Sequence, residues 1–260
     1  MALFAISYDS VAILRDFAAA HGITYPLLSD EGSHVIRALG LINERVQEDH
    51  AVYGIKPNAR HVDLPYPGVF VLDAAGVITQ KRFFESYRER ETGSGLLAQA
   101  LGIFTEPAPA AAGAAPAVQA RAWLDSPTYA FFQRLTLNVE LTIAPGFHVY
   151  AAPVPEGLVP LSIEVAPIGG LEVGPASWPA PRRFEMPEPG EELWGHEGTV
   201  RGMLPLTFSA APGGGDHVVE VTVRYQACDE ASCLMPASVQ LAVPVKEVPL
   251  VGRSLPTATR

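Results

Sequence analysis

The chain has 260 residues, 48% of them hydrophobic and 18% charged, with a formal net charge of −10 at pH 7. That length fits one large domain or two of ordinary size, and the apolar share excludes a disordered or collagen-like chain. The acidic balance argues against a nucleic-acid binder, which needs a basic surface for phosphates.

Residues 3–7 are a short apolar run suited to a buried strand. Ser10 is placed to cap a helix carrying Val11, Leu14, Phe17 and Ala18 on one face and ending at His21 and Gly22. Residues 25–28 read as extended. Val35, Ile36 and Leu39 mark a second helix stopped near Gly40, and residues 43–64, polar and aperiodic, read as a loop. Val69, Phe70, Val71 and Leu72 predict a second buried strand. Residues 73–76 form a turn, and residues 77–84 return as its hairpin partner. Leu96, Leu97, Ala100 and Leu101 mark a closing helix. Helices alternating with short buried strands predict an α/β layer fold.

An Ala/Pro tract over residues 105–118 has no apolar period and reads as a semi-rigid spacer. Beyond it, Leu135, Leu137, Val139, Leu141 and Ile143 keep a period of two. Further short strands are predicted over 148–150, 161–165, 200–208, 218–225 and 239–245, which together suggest an antiparallel sandwich. Residues 213–215, three glycines, read as a turn and not a phosphate loop. The expected organisation is a first domain over 1–103, a linker over 104–120, a sandwich over 121–250 and a tail over 251–260. The longest apolar region, 95–118, is broken by Glu106 and by Pro107, Pro109 and Pro116, so no membrane span is expected. No signal segment is expected after Met1.

The two cysteines, Cys228 and Cys233, both lie in the last fifth of the chain. On spacing alone they are an exchanging pair, a small structural disulfide or two unreactive thiols. No metal site is expected, because structural zinc wants four ligands and no second Cys or His pair supplies them. Asp229 and Glu230 oppose thiolate formation at Cys228, since like charges raise a thiol's pKa. Cys233, flanked by Ser232 and Leu234, is therefore favoured as the thiol that attacks or is attacked, with Cys228 resolving. His148 and His196 are weaker candidates near the hairpin. Trp123, Trp178 and Trp194 read as core or cap packing.

Three stretches of the first half resemble the AhpC/TSA type of thioredoxin-like redoxin. They are Phe4-Ala5-Ile6-Ser7-Tyr8-Asp9-Ser10, Tyr25-Pro26-Leu27-Leu28-Ser29-Asp30, and the run from Tyr66-Pro67-Gly68 to Gly76-Val77-Ile78. The resemblance implies a thioredoxin-like α/β fold in which Pro67 is the candidate cis-proline. It also implies that the strand and helix bearing the family's reactive cysteine are missing here. A thiol peroxidase needs a thiolate, and this half has no cysteine. A shortened reading frame or a decayed domain is the expected explanation.

The second half resembles the N-terminal domain of the thiol:disulfide interchange protein DsbD, an immunoglobulin-like sandwich. The stretches are Gly146-Phe147-His148-Val149-Tyr150 with residues 158–163, Glu191-Glu192-Leu193-Trp194-Gly195, and Tyr225-Gln226-Ala227-Cys228-Asp229-Glu230-Ala231-Ser232-Cys233-Leu234-Met235-Pro236. The resemblance implies a cap loop of Glu191, Glu192, Leu193 and Trp194 over a redox-active Cys228–Cys233 pair, Leu193 standing where that family often has Phe. It implies thiol–disulfide exchange with a thioredoxin-like redox partner, no cofactor, and a periplasmic or envelope setting. The missing signal segment points instead to the cytoplasm if Met1 is the genuine start. The competing functions are a peroxiredoxin-like antioxidant whose reactive-cysteine segment is missing, and a redox-silent interaction module held by a structural disulfide.

Overall fold

The computed structural model describes residues 2–52, 56, 63–85, 89–103, 110–185, 192–209 and 215–248. The chain divides into two compact units, residues 1–89 and 90–260.

In the first unit, β1 (Ala5–Ser7) leads into α1 (Val11–His21), then β2 (Leu27–Ser29), α2 (His34–Ala38), α3 (Val46–Val52), β3 (Gly68–Leu72) and β4 (Ile78–Phe83). Local chemistry sets the ends of α1: the Ser10 hydroxyl accepts the Ile13 N–H, and Gly22 closes the helix at φ 62°. A left-handed residue there costs glycine nothing. The buried Asp30 carboxylate plays the same capping part for α2, accepting the N–H groups of Val35 (3.0 Å) and Ile36 (2.9 Å). In the β3–β4 turn, Asp73 Oδ1 accepts from Ala75 and Val77, both at 2.9 Å.

The strands of this unit make two separate pairs. β1 and β2 are parallel, with Ile6 opposite Leu28, and β3 and β4 form an antiparallel hairpin. β1 and β3, expected as buried strands, are only half-buried, and Ile6 is 48% and Leu72 54% exposed. The apolar face of α1 is open as well, with Val11 and Phe17 exposed and only Leu14 buried. A two-stranded sheet leaves one edge of each strand without a neighbouring strand, and among the described residues α1 packs against β2 without burying these apolar faces. Part of the loop expected over 43–64 is helical, as α3. Its residues 53–55 and 57–62 lie outside the described residues.

The second unit is mostly β. It begins with β5 (Arg90–Glu91) and α4 (Gly93–Leu101), followed by β6 (Ala111–Ala115), β7 (Val118–Leu124), β8 (Thr128–Tyr129), β9 (Gln133–Ile143), β10 (His148–Tyr150) and β11 (Ser162–Val165). Then come β12 (Leu171–Val173), β13 (Arg182–Glu185), β14 (Glu192–His196), β15 (Thr199–Phe208), β16 (His217–Tyr225), β17 (Ala227–Cys228) and β18 (Ala237–Glu247). One sheet runs β12-β15-β9-β7-β6, with β5 beside β9; a second runs β11-β16-β18-β8. The core between them is built by alternation. Leu135, Leu137, Val139 and Leu141 from β9 meet Val219, Val221 and Val223 from β16 and Val239, Leu241 and Val243 from β18. Burying each such side chain contributes about 1.5–3 kcal/mol.

Two expectations change here. The spacer expected over 104–120 is strand in part, since β6 pairs antiparallel with β7, Ala111 opposite Ala122. Only small side chains fit, because a Cβ on Gly113 would stand 2.7 Å from a Val239 methyl. Residues 104–109 lie outside the described residues. The helix expected to close the first half, α4, is part of the second unit. Its N-cap Thr92 bonds Asp125 and accepts the Gly95 N–H at 2.9 Å, and the Gln99 side-chain amide reaches Thr136 Oγ1 at 3.1 Å. A third, smaller sheet, β13-β14-β10-β17, carries the site.

Candidate redox site

Cys228 closes β17, and Cys233 lies directly across a tight hairpin from it. The two face each other as an antiparallel bridge and are joined by a disulfide, with Cα atoms 4.0 Å apart. That is closer than the 5.5–6 Å common to disulfides, because directly opposed residues in a non-hydrogen-bonded antiparallel pair approach most nearly. The sulfurs are not equivalent in access. Cys228 is 1% exposed, whereas Cys233 is exposed.

The hairpin is shaped by its own polar residues. Asp229 Oδ1 accepts the backbone N–H groups of Ala231 (2.8 Å) and Ser232 (2.7 Å), and the Asp229 N–H donates to the Ser232 carbonyl. These donors hold the Asp229 carboxyl below its ordinary range, so its charge is retained beside Cys228. At the base, Gln226, itself buried, donates to the Leu234 carbonyl (3.0 Å) and accepts the Val159 N–H (3.0 Å). One side chain thereby ties the returning arm of the hairpin to the loop before β11.

β10 is the central strand of the site. It pairs with β17 so that His148 lies opposite Cys228, and with β14 so that Tyr150 lies opposite Gly195. Residues directly opposed in an antiparallel pair share a face, as do residues two apart on one strand. His148, Tyr150 and Cys228 therefore lie on one face. His148 Nε2 is 2.9 Å from the Tyr150 hydroxyl, and its ring stacks on Phe184 of β13 with centroids 4.3 Å apart. Burial pushes the His148 imidazole down, against an upward pull from Asp229, and pushes the Tyr150 phenol up.

Leu193 is fully buried and packs with Tyr150 and Cys228, with Leu158 and Phe184 around them. A cleft of about 1110 Å³ opens beside this cluster, lined among others by Phe147, His148, Phe184, Cys233 and the turn from Asp229 to Ser232. An Arg182–Glu197 ion pair stands on its rim.

The expected site residues divide as follows. Cys228 and Cys233 come together, and Leu193 shares a buried cluster with Tyr150 and Cys228. Residues 192–196 are strand β14, not a loop, paired with β13 through four residues. Trp194 points away and is 43% exposed, as strand alternation requires once Leu193 faces inward. Glu191 lies outside the described residues. His196 is opposite Val149 and so on the other face, its ring 5.9 Å from Trp178. Pro67 opens β3, and its carbonyl accepts the Phe84 N–H at 3.0 Å. The expectation of a cis bond before Pro67 is corrected: among the described residues the cis peptide is Ala152–Pro153. Trans is the favoured X–Pro geometry wherever surrounding packing does not select cis. Tyr150 and Phe184 were not singled out from the sequence. Only the parity of His148 and Tyr150 on one strand hinted at the former.

A hairpin disulfide with one buried and one exposed sulfur, beside a strand bearing His148 and Tyr150, is the setting in which comparison with known families decides most. Residues 123–244 match the family "Thiol:disulfide interchange protein DsbD, N-terminal". Residues 1–81 match the AhpC/TSA family. The DsbD-like region thus contains both cysteines, β10 and the described part of the cap strand, while the redoxin-like region contains no cysteine.

Among solved structures, the chain is similar to the N-terminal periplasmic domain of ScsB from Proteus mirabilis, at 19% identity and a TM-score of 0.36. That likeness covers 50% of this chain and 49% of that one, so this chain spans about half the length of that relative. It is also similar to the reduced DsbD N-terminal domain of Neisseria meningitidis, at 18% identity and a TM-score of 0.29, over 42% of this chain and 77% of that one. No curated protein matches the chain. Among the described residues, no helix is long and apolar enough to cross a membrane, and no three metal-binding side chains cluster.

Proposed function

We propose that this chain exchanges thiols and disulfides through Cys228 and Cys233 with a thioredoxin-like redox protein. The observation that carries the reading is the asymmetry of the pair: one sulfur open to the cleft, the other sealed under Leu193 and Tyr150. In the reducing direction a partner thiolate attacks Cys233 Sγ, the Cys228–Cys233 bond breaks, and Cys228 leaves with the electron pair and takes up a proton. A second partner thiol then attacks the partner's own sulfur in the mixed disulfide. This releases Cys233 and an oxidised partner, so two electrons pass to this chain; the reverse sequence passes them on. Attack falls on Cys233 because the nucleophile must approach in line with the S–S bond, and the packing over Cys228 blocks the other approach. Leu193 is read as the lid over the pair.

The first unit is read as part of a thioredoxin-like redoxin fold. The separate β1–β2 and β3–β4 pairs and their exposed apolar faces support that reading. Peroxide reduction is not assigned to it, since residues 1–89 supply no thiolate.

The test is trapping with a thioredoxin whose single cysteine is activated as a mixed disulfide with thionitrobenzoate, which leaves as a thiolate when the variant's thiol attacks. Cys228→Ser should accumulate a mixed disulfide at Cys233, and Cys233→Ser should trap nothing. The opposite pattern would reverse the roles, and trapping by neither would end the exchange reading.

A further inference from the structure

We propose that His148 is the proton acceptor for Cys228 when that buried thiol resolves a mixed disulfide held on Cys233; this rests on the exchange reading above. In the mixed-disulfide state Cys228 is a thiol, enclosed by Leu193 and Tyr150 and next to the Asp229 carboxylate. Burial and a neighbouring negative charge both disfavour its ionisation. A thiol so placed needs a base, and the strand register supplies one. His148 is the residue directly across from Cys228, on the same face, where Cβ atoms of opposed residues lie about 4.5–5.5 Å apart.

The ring is not free to swing. Nε2 is engaged by the Tyr150 hydroxyl at 2.9 Å, one face lies on Phe184, and the cleft opens beside it. In the proposed tautomer Nε2–H donates to the Tyr150 oxygen, which leaves the lone pair on Nδ1. The groups around the imidazole are Tyr150 on its own strand, Cys228 and Asp229 on the hairpin, and Phe184 on β13; Glu230, Arg182 and Glu197 line the same cleft. Burial keeps the imidazole neutral, the form a base requires, and Asp229 would stabilise the imidazolium once formed. In the step, His148 takes the Cys228 S–H proton and the Cys228 thiolate attacks Cys233 Sγ. The bond from Cys233 to the partner sulfur breaks, and the partner leaves as a thiolate with the electron pair. The ring then returns its proton to water through the cleft.

The probe is an aromatic disulfide, 5,5′-dithiobis(2-nitrobenzoate), added to the reduced full-length protein. Cys233 attack releases one coloured thiolate, and Cys228 resolution releases the second. In the wild type the second phase should rise with pH until the imidazole is neutral and then level off, with a solvent deuterium isotope effect above about 2. His148→Gln should keep the first phase and slow the second about 10²-fold at pH 7, the usual scale of general-base assistance. The residual rate should climb tenfold per pH unit with the thiol's own ionisation. A second phase in His148→Gln with the wild-type rate and profile would overturn the proposal. If that variant fails to fold, the wild-type isotope effect decides, and a value near unity overturns it. Release of a single thiolate by the wild type would sink the exchange reading itself, a different failure.

Discussion

Leu193→Ala tests the link between packing and redox access most directly. Leu193 has no exposed surface and fills the space against Tyr150 and Cys228. Truncating a fully buried leucine costs about 2–5 kcal/mol, the spread reflecting how far neighbours relax into the gap. Leu193 sits on a four-strand sheet at the edge of the sandwich and not in its main core, so a cost of about 3 kcal/mol is expected. For a unit of this size that lowers the midpoint of thermal unfolding by about 6–12 °C. The same cavity opens a path to Cys228 Sγ, so reduction of the disulfide by glutathione should speed up in the folded protein, well below the unfolding transition. Calorimetry measures the first effect, and thiol release at 25 °C measures the second. A midpoint shift under about 2 °C together with unchanged reduction kinetics would refute the assignment of Leu193 as the lid.

Gly195→Ala should be destabilising by about 1–3 kcal/mol in urea unfolding, because the new Cβ would stand 2.5 Å from the Val149 carbonyl oxygen and force β14 away from β10. Stability should fall between pH 7 and pH 5. Burial holds His148 and His196 below the ordinary value of 6.5, so the unfolded chain binds more protons as the pH drops through that value. Thermal unfolding across this window should be flatter in a His148→Gln/His196→Gln double variant. A separate loss should begin only below about 3.8, where the lowered Asp229 carboxyl finally protonates and the turn loses its acceptor.

Much of this was legible in the residues themselves. Ser10 and Gly22 delimit α1 because capping is local chemistry, and β9 announces itself because one side of a sheet must be apolar. The cysteine pair was visible for the same reason, since five positions of separation suit a hairpin. What sequence could not supply was partnership between distant strands. Which of His148 and His196 faces the sulfur depends on the register of β10 against β14 and β17, and a shift of one residue would exchange their places. β6 reads as spacer in the sequence because Ala-Ala-Gly-Ala-Ala has no pattern; it is a strand because β7 offers it an edge and Val239 leaves room only for small residues. The partial exposure of β1 and β3 was hidden too, since apolar runs predict burial only where something exists to bury them.

On the proposed exchange reading, the unequal access to the two sulfurs sets how the molecule handles mistakes. On the proposed order of attack, every encounter with the wrong thiol ends in the same adduct, attached at Cys233. Each such adduct sits within reach of one internal nucleophile that no outside molecule can touch or block. A stray small thiol is therefore a passing occupant, expelled on a schedule set inside the protein, while a true partner need only finish its second step before that interval elapses. Fidelity in such a design comes from timing more than from tight recognition.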